Sequence, residues 1–352
     1  MKIPVLEIGD IKLSIPIIQG GMGVGVSLGS LAGAVSKEGG LGIISGVQIG
    51  FKEKDFYNNT LNANLRAIRK EIKKAKEISQ GAPVGINLMV AMNYYEEIAN
   101  CAIEEGIDVI ISGAGLPINL PKLVEGKNVK IAPIVSSRKA ASVILKLYAR
   151  RYNIVPDFLV VEGPLAGGHL GFKKQQLSEN IKLEDILKEV IEEVSIYENK
   201  FKKKIPVIAA GGIYTGDDIG EFLELNAAGV QMATRFIGTF ECDASEEFKQ
   251  AFIDAKKEDI TIVDSPVGLP GRAIKNKFVN KEEKEVIDKC FNCLKTCNPK
   301  DTPYCISKAL INSVSGDTKN GLLFTGTNGY RIDKILKVHD LIEELKKEII
   351  LH

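Results

Sequence analysis

One histidine in this chain stands where it could do acid–base chemistry. The sequence contains three histidines, and His169 lies in the run VVEGPLAGGHLGF, which begins as a predicted strand and continues as a glycine-rich loop. Because histidine titrates near neutral pH, His169 is a candidate general base. The simpler alternative is a histidine that only hydrogen-bonds its own loop. Glu162, near the start of the run, could orient this loop, accept a hydrogen bond from a ligand hydroxyl, or merely line the mouth of the site.

The distribution of glycine is the second informative feature of the sequence, because glycines are concentrated directly after the predicted strands. Of the 352 residues 34 are glycine, about 10%, whereas about 7% is typical of proteins. The glycines that follow predicted strands include Gly20, Gly21, Gly46, Gly163, Gly167, Gly168, Gly211 and Gly212. Tight turns explain part of this excess. The pairs exceed what turns require, and they suggest a ligand that lies flat against the backbone.

Two of these loops predict a phosphate site. They read AAGGI around Gly211 and Gly212, and QMATR around Ala233 and Thr234. The backbone N–H groups of these four residues could cradle a phosphate, and the Thr234 hydroxyl would add a further donor. Ordinary connecting loops are the alternative.

Four of the six cysteines are crowded into one short segment. Cys290, Cys293, Cys297 and Cys305 give the spacing C-x₂-C-x₃-C-x₇-C. Four cysteines at such spacing in a reduced compartment suggest an iron–sulfur cluster or a zinc site. Four unrelated free thiols are the alternative.

The elements that must position these residues alternate regularly. Eight short apolar runs, each followed by a helical pattern, lie at residues 15–19, 41–45, 84–89, 109–112, 130–135, 158–161, 206–210 and 229–236. Continuous apolar runs are typical of parallel strands that are buried on both faces. Eight βα units predict an α/β fold, a closed (β/α)₈ TIM barrel, with functional residues at the carboxyl ends of the strands. A doubly wound open sheet is the alternative.

The chain divides into two predicted parts. Residues 1–257 form the barrel, and residues 258–352 form a C-terminal extension packed on it. The extension contains the cysteine-rich segment and a last helix over residues 332–350. A separate small domain is disfavoured, because apolar residues are sparse in the extension outside that helix.

Composition excludes several classes of protein. The 46 basic and 45 acidic residues give a net charge of +1, which offers no electrostatic attraction for nucleic acid or an acidic membrane surface. No apolar run reaches the roughly 18 residues of a membrane span, and residues 1–10 do not read as a signal peptide. We therefore expect a cytoplasmic protein that acts on a small molecule. A homodimer is left open.

An ordered set of motifs resembles the nitronate monooxygenase family, also called 2-nitropropane dioxygenase, and its relative, the FMN-dependent enoyl-acyl-carrier-protein reductase II. The motifs are IPIIQGGMG at 15–23, EGGLGIIS at 38–45, GINLM at 85–89, AGGHLG at 166–171, PVIAAGGI at 206–213 and GVQMATRF at 229–236. Each motif is weak alone, but together they cover the whole predicted barrel in order.

The resemblance implies an FMN-binding barrel with assigned residues. Gly21 and Met22 would lie beside the flavin ring, with the Met22 backbone near the flavin N5 atom, and Asn87 would bond the ring's polar edge. The other implied FMN contacts are Gly46, Glu162, Gly167, Gly168, Gly211, Gly212, Ala233 and Thr234, the last four at the phosphate. His169 matches the family's catalytic histidine. Residues 326–330 resemble a C-terminal loop that returns over the flavin. Ala233 departs from the family, which often has glycine there.

Two reactions fit these residues. In the first, an alkyl nitronate reacts with oxygen to give a carbonyl compound and nitrite, with His169 as base or as a cation beside the nitronate. In the second, NAD(P)H reduces FMN, which reduces an enoyl thioester. A binding protein without turnover is a third alternative, which His169 argues against.

The cysteine spacing resembles the C-x₂-C-x₃-C-x₁₁-C of the iron–sulfur dienoyl reductases, except for its shorter last gap. An iron–sulfur cluster would favour the reductase reaction, whereas a zinc ion would only stabilise the C-terminal extension.

Overall fold

Eight parallel strands form the centre of the molecule. The structure, a computed structural model, describes residues 1–281 and 285–352. The central strands are β3 (Ile17–Gln19), β4 (Leu41–Ser45), β5 (Val84–Met89), β6 (Val109–Gly113), β7 (Lys130–Val135), β8 (Leu159–Glu162), β10 (Val207–Ala210) and β11 (Gly229–Met232). The remaining strands are β1 (Leu6–Ile8), β2 (Ile11–Leu13), β9 (Gly168–His169), β12 (Ile260–Asp264) and β13 (Pro270–Ile274).

Helices alternate with the central strands and continue beyond them. They are α1 (Gly29–Lys37), α2 (Thr60–Ser79), α3 (Tyr95–Glu104), α4 (Leu120–Leu123), α5 (Arg138–Tyr152), α6 (Lys174–Leu177), α7 (Leu183–Phe201), α8 (Gly216–Glu224), α9 (Thr234–Ile237), α10 (Glu246–Ile253), α11 (Ile306–Val314) and α12 (Val338–Leu351). Among the helices of the described ranges, none is long and apolar enough to cross a membrane.

The central strands close into a barrel. Their order is β10-β11-β3-β4-β5-β6-β7-β8, and β10 pairs with β8 to complete the ring. Every pairing in the ring is parallel. The predicted TIM barrel is confirmed, and the open doubly wound sheet is excluded, because an open sheet would leave two strands with only one neighbour each.

Two apolar layers stabilise the barrel. Inward side chains such as Ile18, Ile43 and Val160 form an inner core, while outward side chains pack against the helices. Leu6 and Ile8 of β1 belong to the inner core, together with Leu13 of β2. The antiparallel β1–β2 hairpin therefore packs onto the interior of the barrel. The sequence analysis did not predict this hairpin, because each of its strands is only three residues long.

The region after the eighth strand differs most from the sequence prediction. The apolar run over 229–236 suggested one strand, but β11 ends at Met232 and α9 begins at Thr234. Helix α11 was not predicted, and the last helix begins at Val338 rather than at residue 332. Residues 329–331 instead form a 3₁₀ turn, and Leu336 pairs with Thr239 of the barrel. Tertiary contacts override the local apolar pattern in these segments.

The extension packs on the barrel by two routes. Strands β12 and β13 form a hairpin that adds β9, in the loop after β8, as a third strand. Helix α12 packs against α8 and α1. Glu344 of α12 also forms an ion pair with Arg235, with 2.7 Å between the charged atoms. The division at residue 257 remains a prediction, because this packing does not by itself define a domain boundary.

Helix α1 packs so closely on β4 that Gly42 has no room for a side chain. A Cβ at Gly42 would overlap the carbonyl oxygen of Ala32 in α1. We expect Gly42→Ala to lower the free energy of unfolding by about 3 kcal/mol, measured by urea denaturation. Gly81→Ala is the control, since its Cβ would meet nothing within 4 Å, and its positive φ limits the expected loss to about 1 kcal/mol. Equal losses in both variants would contradict the tight α1–β4 contact.

Candidate active site

A cavity of about 420 Å³ opens at the carboxyl ends of the barrel strands. Its size lies in the usual range of small-molecule and cofactor sites. The loops after β3, β5, β8, β10 and β11 line it, together with parts of the extension. It brings together these sequence-predicted residues: Gly21, Met22, Asn87, Glu162, Gly167, Gly168, His169, Gly211, Gly212, Ala233 and Thr234.

Gly46 is the one predicted cofactor contact outside the lining that the described residues give this cavity. A Cβ at Gly46 would lie 2.6 Å from Leu88 Cδ2, and the Gly46 N–H donates to the Asn87 carbonyl over 3.0 Å. Close packing of the end of β4 against β5 therefore explains why residue 46 is glycine, and no contact with a ligand is needed to explain it.

The loop after β3 lies directly against β5. A Cβ at Gly21 would collide with the Cβ of Asn87, so glycine is needed where the two residues meet. The Met22 N–H donates to the Ser27 hydroxyl over 2.8 Å. That N–H is therefore already engaged within the chain, whereas the sequence had predicted the Met22 backbone beside the flavin N5 atom.

Two of the four predicted phosphate contacts have backbone conformations that favour glycine. Gly211 and Gly212 have φ values of +97° and +89°, which L side chains rarely adopt. Thr234 Oγ1 accepts a hydrogen bond of 3.0 Å from the Gly326 N–H. Because a hydroxyl can donate while it accepts, its hydrogen remains available to an anion.

The C-terminal loop predicted over residues 326–330 reaches this cavity. Gly326, Thr327 and Asn328 line it. Asn328 Nδ2 donates to the Gly212 carbonyl over 2.6 Å, and the Thr327 N–H donates to the Leu165 carbonyl over 3.2 Å. A Cβ at Gly167 would lie 2.6 Å from the Gly326 nitrogen, so that glycine admits the loop.

Two buried oxygens in the cavity lining have no partner within the described part of the chain. They are Gln231 Oε1 and the Tyr214 hydroxyl oxygen. Leaving a buried polar atom without a hydrogen bond costs about 1–3 kcal/mol of folding free energy, so such atoms normally have a hydrogen-bond partner. A ligand with hydrogen-bond donors would satisfy both.

One buried arginine stabilises the loop after β8. Arg272 of β13 is buried, and its guanidinium donates to the carbonyls of Pro164, over 2.9 Å, and of Ala166. Burial raises the pKa of the nearby Glu162 to about 8, although the positive charge of Arg272 opposes this shift. Burial also lowers the pKa of Arg272 to about 10. The arginine is therefore charged at neutral pH, and burial favours the protonated form of the Glu162 carboxyl group.

The extension holds His169 in place. Strand β9 pairs with β13, so that His169 lies opposite Gly271. His169 Nε2 lies 2.7 Å from Ser265 Oγ, and the ring meets Phe324 edge to face with centroids 4.9 Å apart. Burial lowers the pKa of His169 to about 4. The imidazole is therefore neutral at pH 7 and keeps one basic nitrogen.

The predicted metal site is not supported. In residues 1–281 and 285–352, no three His, Cys, Asp or Glu side chains are arranged to hold a metal ion. Cys290 is exposed, Cys293 and Cys297 are half-buried, and Cys305 is buried. Burial raises the pKa of Cys293 to about 11, and the three other cysteines add to this shift. The thiols thus lie near one another without the geometry that the spacing had suggested.

Sequence reasoning missed the residues that the extension contributes. Ser265, Arg272 and Phe324 contact His169 or its loop, and Tyr304 reaches Asp264 beside Ser265. Ser265 lies 96 positions from its partner His169, and Arg272 lies 108 positions from its partner Pro164. No local pattern marks them, because only the β9–β13 pairing brings them together.

Comparisons with known proteins agree with this geometry. The family model described as nitronate monooxygenase matches residues 6–348. A protein named probable nitronate monooxygenase from Staphylococcus saprophyticus is 26% identical over 310 residues, which cover 80% of this chain and 81% of the relative.

Solved structures share the fold over nearly the whole chain. FabK from Thermotoga maritima has a TM-score of 0.74 and 26% identity, covering 96% of this chain and 93% of its own. The nitroalkane oxidase from Streptomyces ansochromogenes has a TM-score of 0.71 and 21% identity, covering 96% of both chains. At that identity, the second likeness supports the fold alone.

The barrel and its glycine-lined cavity therefore define a TIM-barrel oxidoreductase of the flavin-dependent class. Within that class, the chain belongs to the nitronate monooxygenase family. The resemblance found in the sequence motifs is confirmed.

His339 and His169 should titrate in a distinctive order. His339 hydrogen-bonds Glu38 over 2.9 Å, which raises its pKa above the usual 6.5, whereas burial lowers the pKa of His169 to about 4. In an NMR titration from pH 8 downwards, we expect His339 to protonate first and His169 to remain neutral until about pH 4. His339→Gln assigns the first signal. Protonation of His169 near pH 6.5 would contradict its buried environment.

Proposed function

We propose that this protein is an FMN-dependent oxidoreductase of the nitronate monooxygenase type, which oxidises alkyl nitronates with oxygen to a carbonyl compound and nitrite. The observation that carries the proposal is one cavity in which His169 and the glycine cradle of Gly211 and Gly212 lie together. Membership of the family supplies the reaction class.

The chemistry of the cavity fits FMN at both ends. At one end, Gly211, Gly212, Ala233 and Thr234 would hold the phosphate through backbone N–H groups and the Thr234 hydroxyl. Ala233 keeps its N–H, so its methyl group does not prevent this role.

At the other end, the flavin has donors and acceptors that complement the cavity. The unpaired Gln231 Oε1 needs a donor, and the protonated carboxyl group of Glu162 offers both a donor and an acceptor. Gly21, Gly167 and Gly168 leave the flat ring room beside Asn87 and the loop after β8. Met22 would contact the ring by its side chain, since its N–H donates to Ser27.

FMN, when bound, supplies the electron chemistry between the substrate and oxygen. The chain supplies orientation and the movement of a proton. The neutral imidazole of His169 would accept the proton from the carbon beside the nitro group of a nitroalkane, which yields the nitronate. His169 as a resident cation beside the nitronate is less consistent with a pKa of about 4.

Stopped-flow kinetics with the purified enzyme test this proposal. With propyl-2-nitronate and oxygen we expect turnover with release of nitrite. With the neutral nitroalkane 2-nitropropane as substrate, His169→Ala should lower kcat by about 100-fold or more, because general acid–base catalysis contributes at least about that factor and this substrate must first lose a proton.

His339→Ala is the matched control and should leave kcat unchanged, because His339 lies on the surface, where it hydrogen-bonds Glu38. Rapid reduction of the flavin by NADH under anaerobic conditions, without turnover of the nitronate in oxygen, would contradict the proposal. That result would favour the alternative from the sequence, reduction of an enoyl thioester by NAD(P)H.

A further inference from the structure

Phe324 of the extension lies beside His169 in the cavity. The two rings meet with centroids 4.9 Å apart and with their planes at 69° to each other. Both side chains line the cavity, and both are half-buried. The phenylalanine ring is therefore part of the wall that a substrate at the proposed base would meet.

Two small residues of β13 leave room for these rings. His169 lies opposite Gly271, and Phe324 forms a bridge with Ala273 on the same edge of β13. Alternate residues of a strand share one face of a sheet, and paired residues are neighbours on that face. A Cβ at Gly271 would lie 2.7 Å from Phe324 Cε1, so the ring occupies the space over the glycine.

Backbone hydrogen bonds on both sides of Phe324 hold this segment against β13. The Thr325 N–H donates to the Arg272 carbonyl over 3.0 Å, and the Ile274 N–H donates to the Leu323 carbonyl over 2.9 Å. The backbone is fixed by this pairing, and the ring is in contact with the histidine. The side chain is therefore held in place and does not move aside freely for a bulky substrate.

The space beside His169 is limited and apolar. The cavity has a volume of about 420 Å³, and in the proposed function it holds the flavin as well as the substrate. Leu269, directly before β13, lines the same cavity as Phe324. Apolar surface of this kind favours contact with the alkyl part of a substrate. The position of the ring then decides how large that alkyl part can be.

We propose that Phe324 is a specificity-determining residue, whose ring limits the size of the alkyl group that binds beside His169. The enzyme should therefore favour small nitronates, such as propyl-2-nitronate, over bulky cyclic ones. This inference rests on the proposed function, because it names the substrate class of the same site. It also explains the glycine at position 271, where the phenylalanine ring takes the place of a side chain.

Two secondary nitronates that differ in bulk test the role of Phe324. Propyl-2-nitronate and cyclohexyl nitronate both carry two carbon substituents on the reacting carbon, and both have already lost the proton that His169 would remove. Their relative turnover therefore reports space rather than proton transfer. With the full-length, FMN-loaded enzyme we expect kcat/KM to be at least about tenfold higher for propyl-2-nitronate, because one misfitting methylene group in an apolar pocket can cost about that factor.

Phe324→Ala should shift the ratio of the two kcat/KM values towards cyclohexyl nitronate by at least about tenfold. Phe324→Leu, which keeps an apolar side chain, should shift the ratio in the same direction by a smaller factor. Phe240→Ala is the matched control, because Phe240 is 62% exposed and lies outside the described lining of the cavity. It should leave the ratio unchanged.

Anaerobic titration calorimetry with 2-nitropropane and nitrocyclohexane gives a second readout, which does not depend on turnover. Phe324→Ala should raise the affinity for nitrocyclohexane relative to 2-nitropropane by at least about tenfold. Unchanged ratios in both Phe324 variants, or a higher kcat/KM of the unsubstituted enzyme for cyclohexyl nitronate, would overturn the proposal. Failure of the proposed function would appear differently, as absent turnover of both nitronates with the shift in binding still in place.

Discussion

The site depends on the hydrogen bonds that the buried guanidinium group of Arg272 donates to the loop after β8. Arg272 belongs to β13 in the extension, and it donates to the carbonyls of Pro164 and Ala166 in this loop. This loop carries Glu162 at one end and His169 at the other. Without these hydrogen bonds, two buried carbonyls would lose their partners and a buried charge would be left uncompensated, each at a cost of about 1–3 kcal/mol or more.

The same buried arrangement sets the protonation of the site. Burial raises the pKa of Glu162 and lowers that of His169, so the neutral form of both groups is favoured at pH 7 while Arg272 carries the charge. A neutral imidazole can accept a proton, and a neutral carboxyl group can donate a hydrogen bond. Such paired shifts are characteristic of catalytic sites, where the environment separates the roles of acid and base.

The barrel could be predicted closely because its strands are local features. The bounds of β4, β5 and β7 agree with the apolar runs at 41–45, 84–89 and 130–135. The cavity side of the barrel was predictable too, since many of the glycines that line the cavity follow the strands directly. The contacts of His169 could not be predicted, because they depend on the pairing of β9 with β13.

The cysteine-rich segment shows the opposite case, in which a local pattern was misleading. Ligand-like spacing fixes how many residues separate the thiols, but not where the thiols point, and the described cysteines do not form a metal site. The segment contributes the Tyr304 hydroxyl, which donates to the Asp264 carbonyl at the end of β12 over 2.8 Å.

The most direct test of the account is the affinity of the flavin-free protein for FMN and for riboflavin, measured by flavin fluorescence. The two ligands differ only in the phosphate that Gly211, Gly212, Ala233 and Thr234 are proposed to hold. The account predicts that FMN binds at least about 100-fold more tightly, a difference of about 2.8 kcal/mol. Equal affinities, or no binding of either flavin, would contradict it.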